Sequence, residues 1–246
     1  MTLVRAETPL TGEQLLYEGE SYLPQAPEVV SSGLELRCEV CEIFGAVGVG
    51  KTQLALTLAA SLAPSRRVLF VAVKDAPAAL AQRLQCMAQD IGSLARVQLC
   101  RAGDFTDFAR IILGFGESLQ PKEPAPLVLL DGLSLLLAPF TSANGWAHRW
   151  RLAWSWRQLR QLALPGPGSS GCCVVLFSHL SGGPGGQVPA LGALWSQGAA
   201  RRLELRETEL RPCARKRGPL SQEAPVQISV GEAGVHFAEL APPLQL

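Results

Sequence analysis

The sequence predicts a single α/β domain built on a mixed, mostly parallel sheet. Through most of the chain, short apolar runs rich in β-branched residues alternate with longer runs of helical periodicity. Near the end, two short strand-like runs are separated by a glycine-bounded turn, which is typical of an antiparallel hairpin. A length of 246 residues allows one large domain, or a core with a short appendage.

Composition excludes several classes of protein. Hydrophobic residues make up 48% of the chain and the formal net charge is +1, which predicts a globular protein that is not a general binder of polyanions. A local basic patch is still allowed. No apolar run is long enough to span a membrane, and the first residues lack the apolar core of a signal peptide. We therefore predict no membrane partner.

The seven cysteines indicate a reducing compartment, because their number is odd and several lie in apolar, strand-like runs. The cysteines predicted to be buried thiols are Cys41, Cys100, Cys172 and Cys173. Cys38 and Cys41 form a C-x-x-C pair, but no second pair stands at the spacing that a zinc site requires.

The first 36 residues are predicted to form a polar N-terminal segment. It contains Pro9, Pro24 and Pro27, and the run 15–17 (Leu-Leu-Tyr) is expected to form a short helix that packs on the core. The segment is too short to be a domain. We therefore predict a core at residues 37–240 and a tail at residues 241–246.

A glycine-rich loop joins the first core strand, predicted at residues 39–44, to a helix at residues 53–62. Residues 45–52 between them fit G-x-x-x-x-G-K-[ST], and strand, loop and helix form the context that this phosphate-binding motif needs. The alternative is a glycine-rich turn without a ligand.

Nine residues are predicted to contact the nucleotide. They are Gly45, Ala46, Val47, Gly48, Val49, Gly50, Lys51, Thr52 and Gln53. The glycines let backbone N–H groups approach the phosphates, and the start of the helix adds its positive dipole end. Lys51 would supply a mobile charge to the phosphates, and the Thr52 hydroxyl would bind Mg²⁺.

The middle of the chain alternates between strands and helices. Strands are predicted at residues 68–73, 97–100 and 127–131, and helices at residues 76–90 and 104–119. The last of these strands ends in Asp131, where the carboxyl ends of parallel strands line a ligand crevice. Asp131 is therefore predicted to hold Mg²⁺, although capping of the next segment is the alternative.

A helix predicted at residues 145–164 carries tryptophans and arginines in alternation. They are Trp146, Trp150, Trp154 and Trp156, with Arg149, Arg151, Arg157 and Arg160. Such a helix can bind single-stranded nucleic acid through stacking and phosphate pairing. The interpretation that we favour is a core helix whose tryptophans face the sheet and whose arginines face water.

The remainder of the chain contains a buried strand, a glycine-rich run and a basic cluster. The strand at residues 172–177 ends at Ser178-His179, and residues 181–186 are predicted to be a flexible loop. A half-exposed strand is expected at residues 201–206, followed by the closing hairpin at residues 226–237. Between these lies a cluster of basic residues, Arg211, Arg215, Lys216 and Arg217, which with the loop is predicted to lie near DNA.

The order of these motifs resembles the eukaryotic RecA-like recombinase paralogue family. The loop followed by Gln53-Leu54 is similar to the G-K-T-Q-L of RecA-type recombinases, and residues 189–195 fit P-A-L-G-x-x-W, which a generic phosphate-binding loop has no reason to carry. The likeness covers residues 33–240. Within that range it includes Arg201-Arg202-Leu203 and the hairpin with Ile228 and Val235. Residues 74–76 and 138–140 resemble one particular paralogue.

The resemblance implies a RecA-like P-loop ATPase core with a C-terminal antiparallel extension. It also implies ATP and Mg²⁺ as ligands, another recombinase paralogue and single-stranded or branched DNA as partners, and the nucleus as location, with the cytoplasm as an alternative. The predicted function is an ATP-binding subunit of a homologous-recombination complex, with weak DNA-dependent ATPase activity. A non-hydrolysing interaction subunit is the alternative, and a small-molecule phosphotransferase ranks last.

Three departures from the family bear on hydrolysis. The family's catalytic Glu falls at Lys74, and neighbouring Asp75 becomes the candidate catalytic residue. The usual Asn-Gln after the next core strand is replaced by Ser178-His179. The helical amino-terminal domain of many members is expected to be lacking.

Overall fold

The computed structural model describes residues 29–31, 34–88, 90–120, 123–137, 146–166, 170–183, 186–189, 199–207, 209–213, 226–231 and 234–237. In chain order these contain β1 (Val29–Ser31), β2 (Leu34–Leu36), β3 (Val40–Gly45), α1 (Lys51–Leu62), β4 (Val68–Ala72), α2 (Pro77–Met87), a 3-10 helix (Ile91–Arg96), β5 (Val97–Arg101), α3 (Phe105–Glu117), β6 (Leu127–Asp131), α4 (Leu133–Leu137), α5 (Trp146–Ala163), β7 (Cys173–Gly183), β8 (Gly186–Pro189), β9 (Arg201–Leu205), β10 (Glu209–Pro212), β11 (Val226–Gly231) and β12 (Gly234–Phe237).

The central sheet has the strand order β12-β11-β10-β9-β3-β7-β6-β4-β5. Pairing is parallel from β9 to β5 and antiparallel from β9 to β12, while β8 folds back on the end of β7. Every residue of β3 and β4 is buried, as expected for parallel strands covered on both faces. The α/β fold class, a RecA-like core with a C-terminal antiparallel extension, is confirmed.

Helices cover both faces of the parallel strands and divide the core into two layers. The first layer contains apolar side chains of α1 and α2, and the second those of α3, α4 and α5. Alternate residues of each strand enter the two layers, so Ile43 and Phe177 lie in the first while Val40 and Leu176 lie in the second.

The strand order brings the predicted functional residues to one edge of the sheet. Gly45 at the end of β3 is opposite His179 in β7, and Asp131 at the end of β6 is opposite Phe177. Because β7 lies between β3 and β6, residues far apart in sequence meet at the carboxyl ends of these strands. This is the edge at which ligands bind in open α/β sheets.

The glycine-rich run at residues 181–186 differs from the prediction. Ser181, Gly182 and Gly183 continue β7, and they pair with Val188, Gln187 and Gly186 of β8. The prediction of a flexible loop is therefore wrong for these residues. Composition favoured a loop, but the hairpin satisfies backbone N–H and C=O groups that a loop would leave to water.

Helix α5 agrees with the prediction in position and only in part in orientation. Trp154 and Trp156 pack against the second core layer, whereas Trp150 is 49% exposed. Arg157 is exposed, but Arg151 is half-buried, with its guanidinium 5.4 Å from the centre of the Phe105 ring. The expected division into inward tryptophans and outward arginines thus fails at Trp150 and Arg151.

Two smaller differences concern short elements and thiols. Strands β1 and β2 form an antiparallel pair inside the N-terminal segment, where no strand was predicted, because three residues are too few to show a period. Cys41, Cys172 and Cys173 are buried as predicted, whereas Cys100 is half-buried.

Several predictions fall outside the described residues. They concern the helix at residues 15–17, the run 138–140, most of the P-A-L-G-x-x-W motif and the basic residues Arg215, Lys216 and Arg217. Among the helices that are described, none has the length and apolar character needed to cross a bilayer.

Candidate nucleotide site

The glycine-rich loop has backbone conformations that favour glycine. Gly48 and Gly50 have φ values of 84° and 97°, in the left-handed region where a Cβ is strained. Gly45 is needed for a different reason, since a Cβ there would lie 2.5 Å from the carbonyl oxygen of Leu205 in β9. The loop therefore packs closely against its neighbouring strand.

The amino end of α1 is open to an anion. Gly50 is its N-cap and supplies no side-chain hydrogen bond, and the first turn of this fully described helix contains no acidic residue. The first backbone N–H groups of a helix have no intrahelical acceptor, and together with the helix dipole they favour a negatively charged ligand.

The Lys51 side chain lies over its own loop. Its Nζ donates to the carbonyl oxygens of Gly45 at 3.0 Å and Ala46 at 2.6 Å. Burial lowers the pKa of Lys51, and the charge of Asp131 opposes that effect. The ammonium group is thus held at the loop, on the side that faces β6.

Thr52 and Asp131 are in direct contact. Thr52 Oγ1 donates to Asp131 Oδ2 at 2.6 Å, although 79 positions separate the two residues in sequence. Burial raises the pKa of Asp131, against the hydrogen bond from Thr52, and the charge of Asp75 raises it further. Two oxygen atoms of the kind that Mg²⁺ prefers therefore meet beside Lys51.

Lys74 and Asp75 follow β4 at the same edge of the sheet. The backbone N–H of Val73, just before them, donates to the Asp131 carbonyl oxygen at 3.1 Å. Asp75 contributes to the raised pKa of Asp131, and Lys74 contributes to the lowered pKa of His179. Both charges thus act on this site, and the catalytic role of Asp75 stays a prediction.

The Gln53 side chain is bound by α2. Arg83 Nη2 donates to Gln53 Oε1 at 2.7 Å, and Gln53 Nε2 lies 3.8 Å from Met87 Sδ. The positive charge of Arg83 also lowers the pKa of Asp131, against burial, which is the larger effect. Sequence analysis did not predict this link, since nothing in the pattern pairs α1 with Arg83.

Ser178 and His179 point to different partners. Ser178 is buried and donates from Oγ to Glu42 Oε1 at 2.7 Å, whereas His179 Nδ1 lies 2.8 Å from Ser134 Oγ in α4. Burial is the main reason why the pKa of His179 is lowered, and Lys51 and Lys74 add to the effect. The neutral imidazole is therefore favoured near the loop.

Glu42 is the residue that sequence analysis missed most clearly. It lies fully buried in β3, where it accepts from Ser178 in β7 and from Arg202 Nε in β9, the latter at 2.7 Å. We call Glu42, Ser178 and Arg202 the buried triad. An acid inside an otherwise apolar strand signals a buried partner, because an unpaired buried charge is strongly unfavourable.

A cleft of about 580 Å³ lies on the other side of the loop. Its lining residues are Ala46, Val47, Gly48, Val49, Leu180, Glu204, Leu205, Arg206 and Glu207. Val47 at this cleft is 84% exposed. Four of the nine predicted contact residues therefore line this cleft, whereas Lys51 and Thr52 lie toward Asp131 at the end of β6. Over the part of the chain that the structure describes, no group of three or more His, Cys, Asp or Glu side chains is placed to hold a metal ion.

Comparison with known proteins finds two relatives and no matching family model. The chain is 31% identical over 189 residues to DNA repair protein RAD51 homolog 4 of Mus musculus, which covers 70% of this chain and 55% of that protein. The same protein of Bos taurus is 29% identical over 189 residues, covering 70% and 56%. The chain thus spans about half the length of the curated relatives it matches. The similarity supports the RecA-like recombinase paralogue family.

Proposed function

We propose, with the similarity to RAD51 homolog 4 as the premise, that this chain is an ATP-binding, RecA-type subunit of a homologous-recombination complex. It would assist recombinase assembly or junction processing on DNA, in the nucleus. The observation that carries the proposal is the 2.6 Å contact between Thr52 and Asp131 at the amino end of α1. A structural glycine turn gives no reason for these two oxygens to meet.

The residues present fit Mg·ATP. The loop at residues 45–53 and the open amino end of α1 would surround the phosphates, and Lys51 would carry the cation that meets them. Thr52 and Asp131 would provide oxygen ligands to Mg²⁺. When bound, ATP supplies a phosphoryl group that a family ATPase transfers to water.

Hydrolysis in the isolated chain is proposed to be slow. Activation of the attacking water needs a hydrogen-bond acceptor. The Lys74 ammonium at the expected position has three N–H donors and no acceptor. Asp75 is the remaining candidate, and its charge acts on Asp131. The alternative is a non-hydrolysing subunit in which ATP stabilises the interface with a partner paralogue. A phosphotransferase ranks last, since the run 181–186 that would form its lid contains no arginine.

Thermal unfolding tests nucleotide binding. Mg·ATP should raise the Tm of the parent chain, because a ligand that binds only the native state stabilises it. Lys51→Ala should lose most of this shift. The matched control is Arg110→Ala, which removes a cation that is 75% exposed on α3 and should keep the shift. No ATP-dependent shift in the parent chain would contradict the proposal.

Turnover assays separate the two function candidates. ATP hydrolysis is measured for the chain alone, for the chain with a partner paralogue, and for Lys74→Glu and Asp75→Asn. Lys74→Glu should raise ATP turnover, because it replaces an ammonium group with a carboxylate that can accept a proton from the attacking water. Brisk hydrolysis by the isolated parent that survives Asp75→Asn would show that the catalytic position is misplaced.

DNA binding and the paralogue subtype are finer parts of the proposal. Neutralising Arg215, Lys216 and Arg217 together should lower affinity for single-stranded DNA and flatten its dependence on salt. An unchanged slope would assign the cluster to solvent. The resemblance of residues 74–76 and 138–140 to X-ray repair cross-complementing protein three is untested, and the relatives found are RAD51 homolog 4.

A further inference from the structure

Three cysteines and one arginine meet at the amino ends of β3 and β7, opposite the nucleotide site. Cys38 lies two residues before β3, and Cys173 is the first residue of β7. The strands are in register with Val40 opposite Val174, and the Val174 N–H donates to the Glu39 carbonyl oxygen at 3.0 Å. Cys38 therefore leads into the strand that pairs with β7, which Cys173 begins.

Cys38 and Cys173 form the reactive pair in this cluster. Each thiol has the largest influence on the pKa of the other, and both side chains pack in the first core layer with α1. Cys172 belongs to the second layer, on the opposite face of the sheet. Cys38 is half-exposed, whereas Cys173 is 1% exposed. One thiol is thus open to a small reagent and the other lies behind it.

A buried cation lies beside the pair. Arg66 is 7% exposed, its Nη1 donates to the Ala125 carbonyl oxygen at 3.0 Å, and the same atom lies 3.9 Å from Cys173 Sγ. Its Nε is buried without a hydrogen-bond partner in the described part of the chain. A guanidinium in this position favours negative charge on a neighbouring sulfur.

The two sulfurs are polarised in opposite directions. The hydrogen bond from Cys173 lowers the pKa of Cys38, with help from Arg66 and against burial. The same hydrogen bond and burial raise the pKa of Cys173, and burial raises the pKa of Cys172 to about 12. Of the two thiols, Cys38 is thus the easier to deprotonate, and it is also the more exposed.

We propose that Cys38 and Cys173 form a peroxide-reactive dithiol that closes reversibly to a disulfide. The Cys38 thiolate attacks one oxygen of a hydroperoxide, so that an S–O bond forms, the O–O bond breaks and the leaving alkoxide or hydroxide takes a proton. The Cys173 sulfur then attacks the sulfenic acid and loses its proton. An S–S bond forms, the S–O bond breaks, and water leaves.

The pairing of β3 with β7 is compatible with this bond. Neighbouring strands lie about 4.8 Å apart, and disulfides span Cα separations of about 4.4–6.8 Å. In the resting thiol state, Cys38 Sγ lies 3.5 Å from the Ser170 carbonyl oxygen, so its proton has an acceptor. The disulfide would join the amino ends of two strands. These are β3, which leads to the glycine-rich loop, and β7, which leads to His179.

Mass spectrometry of the native, reduced full chain tests the proposal. At neutral pH, Cys38 should react with iodoacetamide about threefold or more faster than the exposed thiol of Cys86, although Cys38 is less exposed. Substoichiometric hydrogen peroxide should yield a Cys38–Cys173 crosslinked peptide that dithiothreitol removes. In Cys173→Ser, a dimedone adduct should accumulate on Cys38.

Controls separate this chemistry from general oxidation. Cys86→Ser should leave the crosslink unchanged, and Arg66→Lys should keep it because the cation remains. Equal or slower alkylation of Cys38 than of Cys86 would overturn the proposal. A Cys38–Cys41 bridge in place of Cys38–Cys173, or oxidation of Cys38 only after unfolding, would overturn it as well. None of these outcomes depends on nucleotide binding.

Discussion

Two sets of ion pairs lie along one face of β9, and burial makes them different. Arg202 of the buried triad contacts Glu42 at 2.7 Å, and these side chains are 16% and 0% exposed. Two positions later, Glu204 contacts Arg206 at 2.9 Å, with exposures of 26% and 46%. We call Glu204, Arg206, Glu209 and Arg211 the surface cluster, since its pairs continue onto β10.

The comparison shows that contact distance does not measure the importance of an ion pair. Water and salt screen the surface cluster, and such pairs contribute about 0–1 kcal/mol to stability. The buried triad is closed from both sides of β3, so removal of Glu42 leaves Ser178 without its acceptor and Arg202 without its carboxylate. Arg202 also stacks on Phe44 at 4.9 Å from the ring centre, which adds to its confinement.

The largest expected effect comes from Glu42→Ala. It leaves the Arg202 guanidinium, whose side chain is 16% exposed, without its carboxylate, so the free energy of unfolding should fall by about 3 kcal/mol, the lower end for a broken buried pair. Urea denaturation followed by circular dichroism measures it. Glu204→Ala, which removes an acid two positions beyond Arg202 on the same face of β9, should cost at most about 1 kcal/mol. Equal losses in the two variants would remove the distinction.

A double variant sharpens the same comparison. Replacing both Glu42 and Arg202 by leucine removes both charges, and buried pairs replaced by apolar residues are often neutral in stability. The double variant should therefore be more stable than Glu42→Ala. If it is equally unstable, the loss in the single variant comes from packing and not from an unpaired charge.

The second expected effect comes from Ser178→Ala. Glu42 Oε1 loses its donor in a buried site, which should cost about 1–3 kcal/mol. The matched control is Ser155→Ala in α5, a buried serine that donates only to the Arg151 carbonyl oxygen within its own helix. The control should cost less, and the same denaturation experiment compares the two serines.

The sequence predicted the parts of this site that depend on local pattern. The glycine-rich loop, the Asp at the end of β6 and the alternation of strands and helices each follow from neighbouring residue types. The buried triad does not, because Glu42 is 136 positions from Ser178 and 160 from Arg202. Strand order decides such contacts, and no spacing in one sequence encodes the order β9-β3-β7.

The third effect is small and depends on salt. Arg206→Ala removes its pairs with Glu204 and Glu209 and should lower the stability only slightly at low ionic strength. Roughly 1 M NaCl shortens the Debye length to about 3 Å, so the difference from the parent chain should nearly vanish there. The loss in Glu42→Ala should persist in the same salt. A salt-independent Arg206→Ala loss would place the surface cluster with the buried triad.

The smallest effect is a pH dependence next to the triad. Because the pKa of His179 is lowered from 6.5 in the folded chain, the unfolded chain binds this proton first as pH falls. The unfavourable contribution is absent above pH 6.5 and grows as pH falls toward the folded pKa. His179→Asn should therefore flatten the fall of Tm below pH 6.5 relative to the parent chain. Parallel curves would contradict this assignment.

The position of β3 in the sheet also affects the order in which the chain can fold as it is made. Both neighbours of β3 in the sheet, β7 and β9, follow it in the chain only after β4, β5 and β6. A ribosome must therefore complete β9 before the glycine-rich loop has both its flanking strands. Before β7 is made, the apolar β3 has two unpaired edges, and before β9 is made it still has one. Such edges are templates for aggregation, so we expect the nascent chain to need protection until β9 has been made.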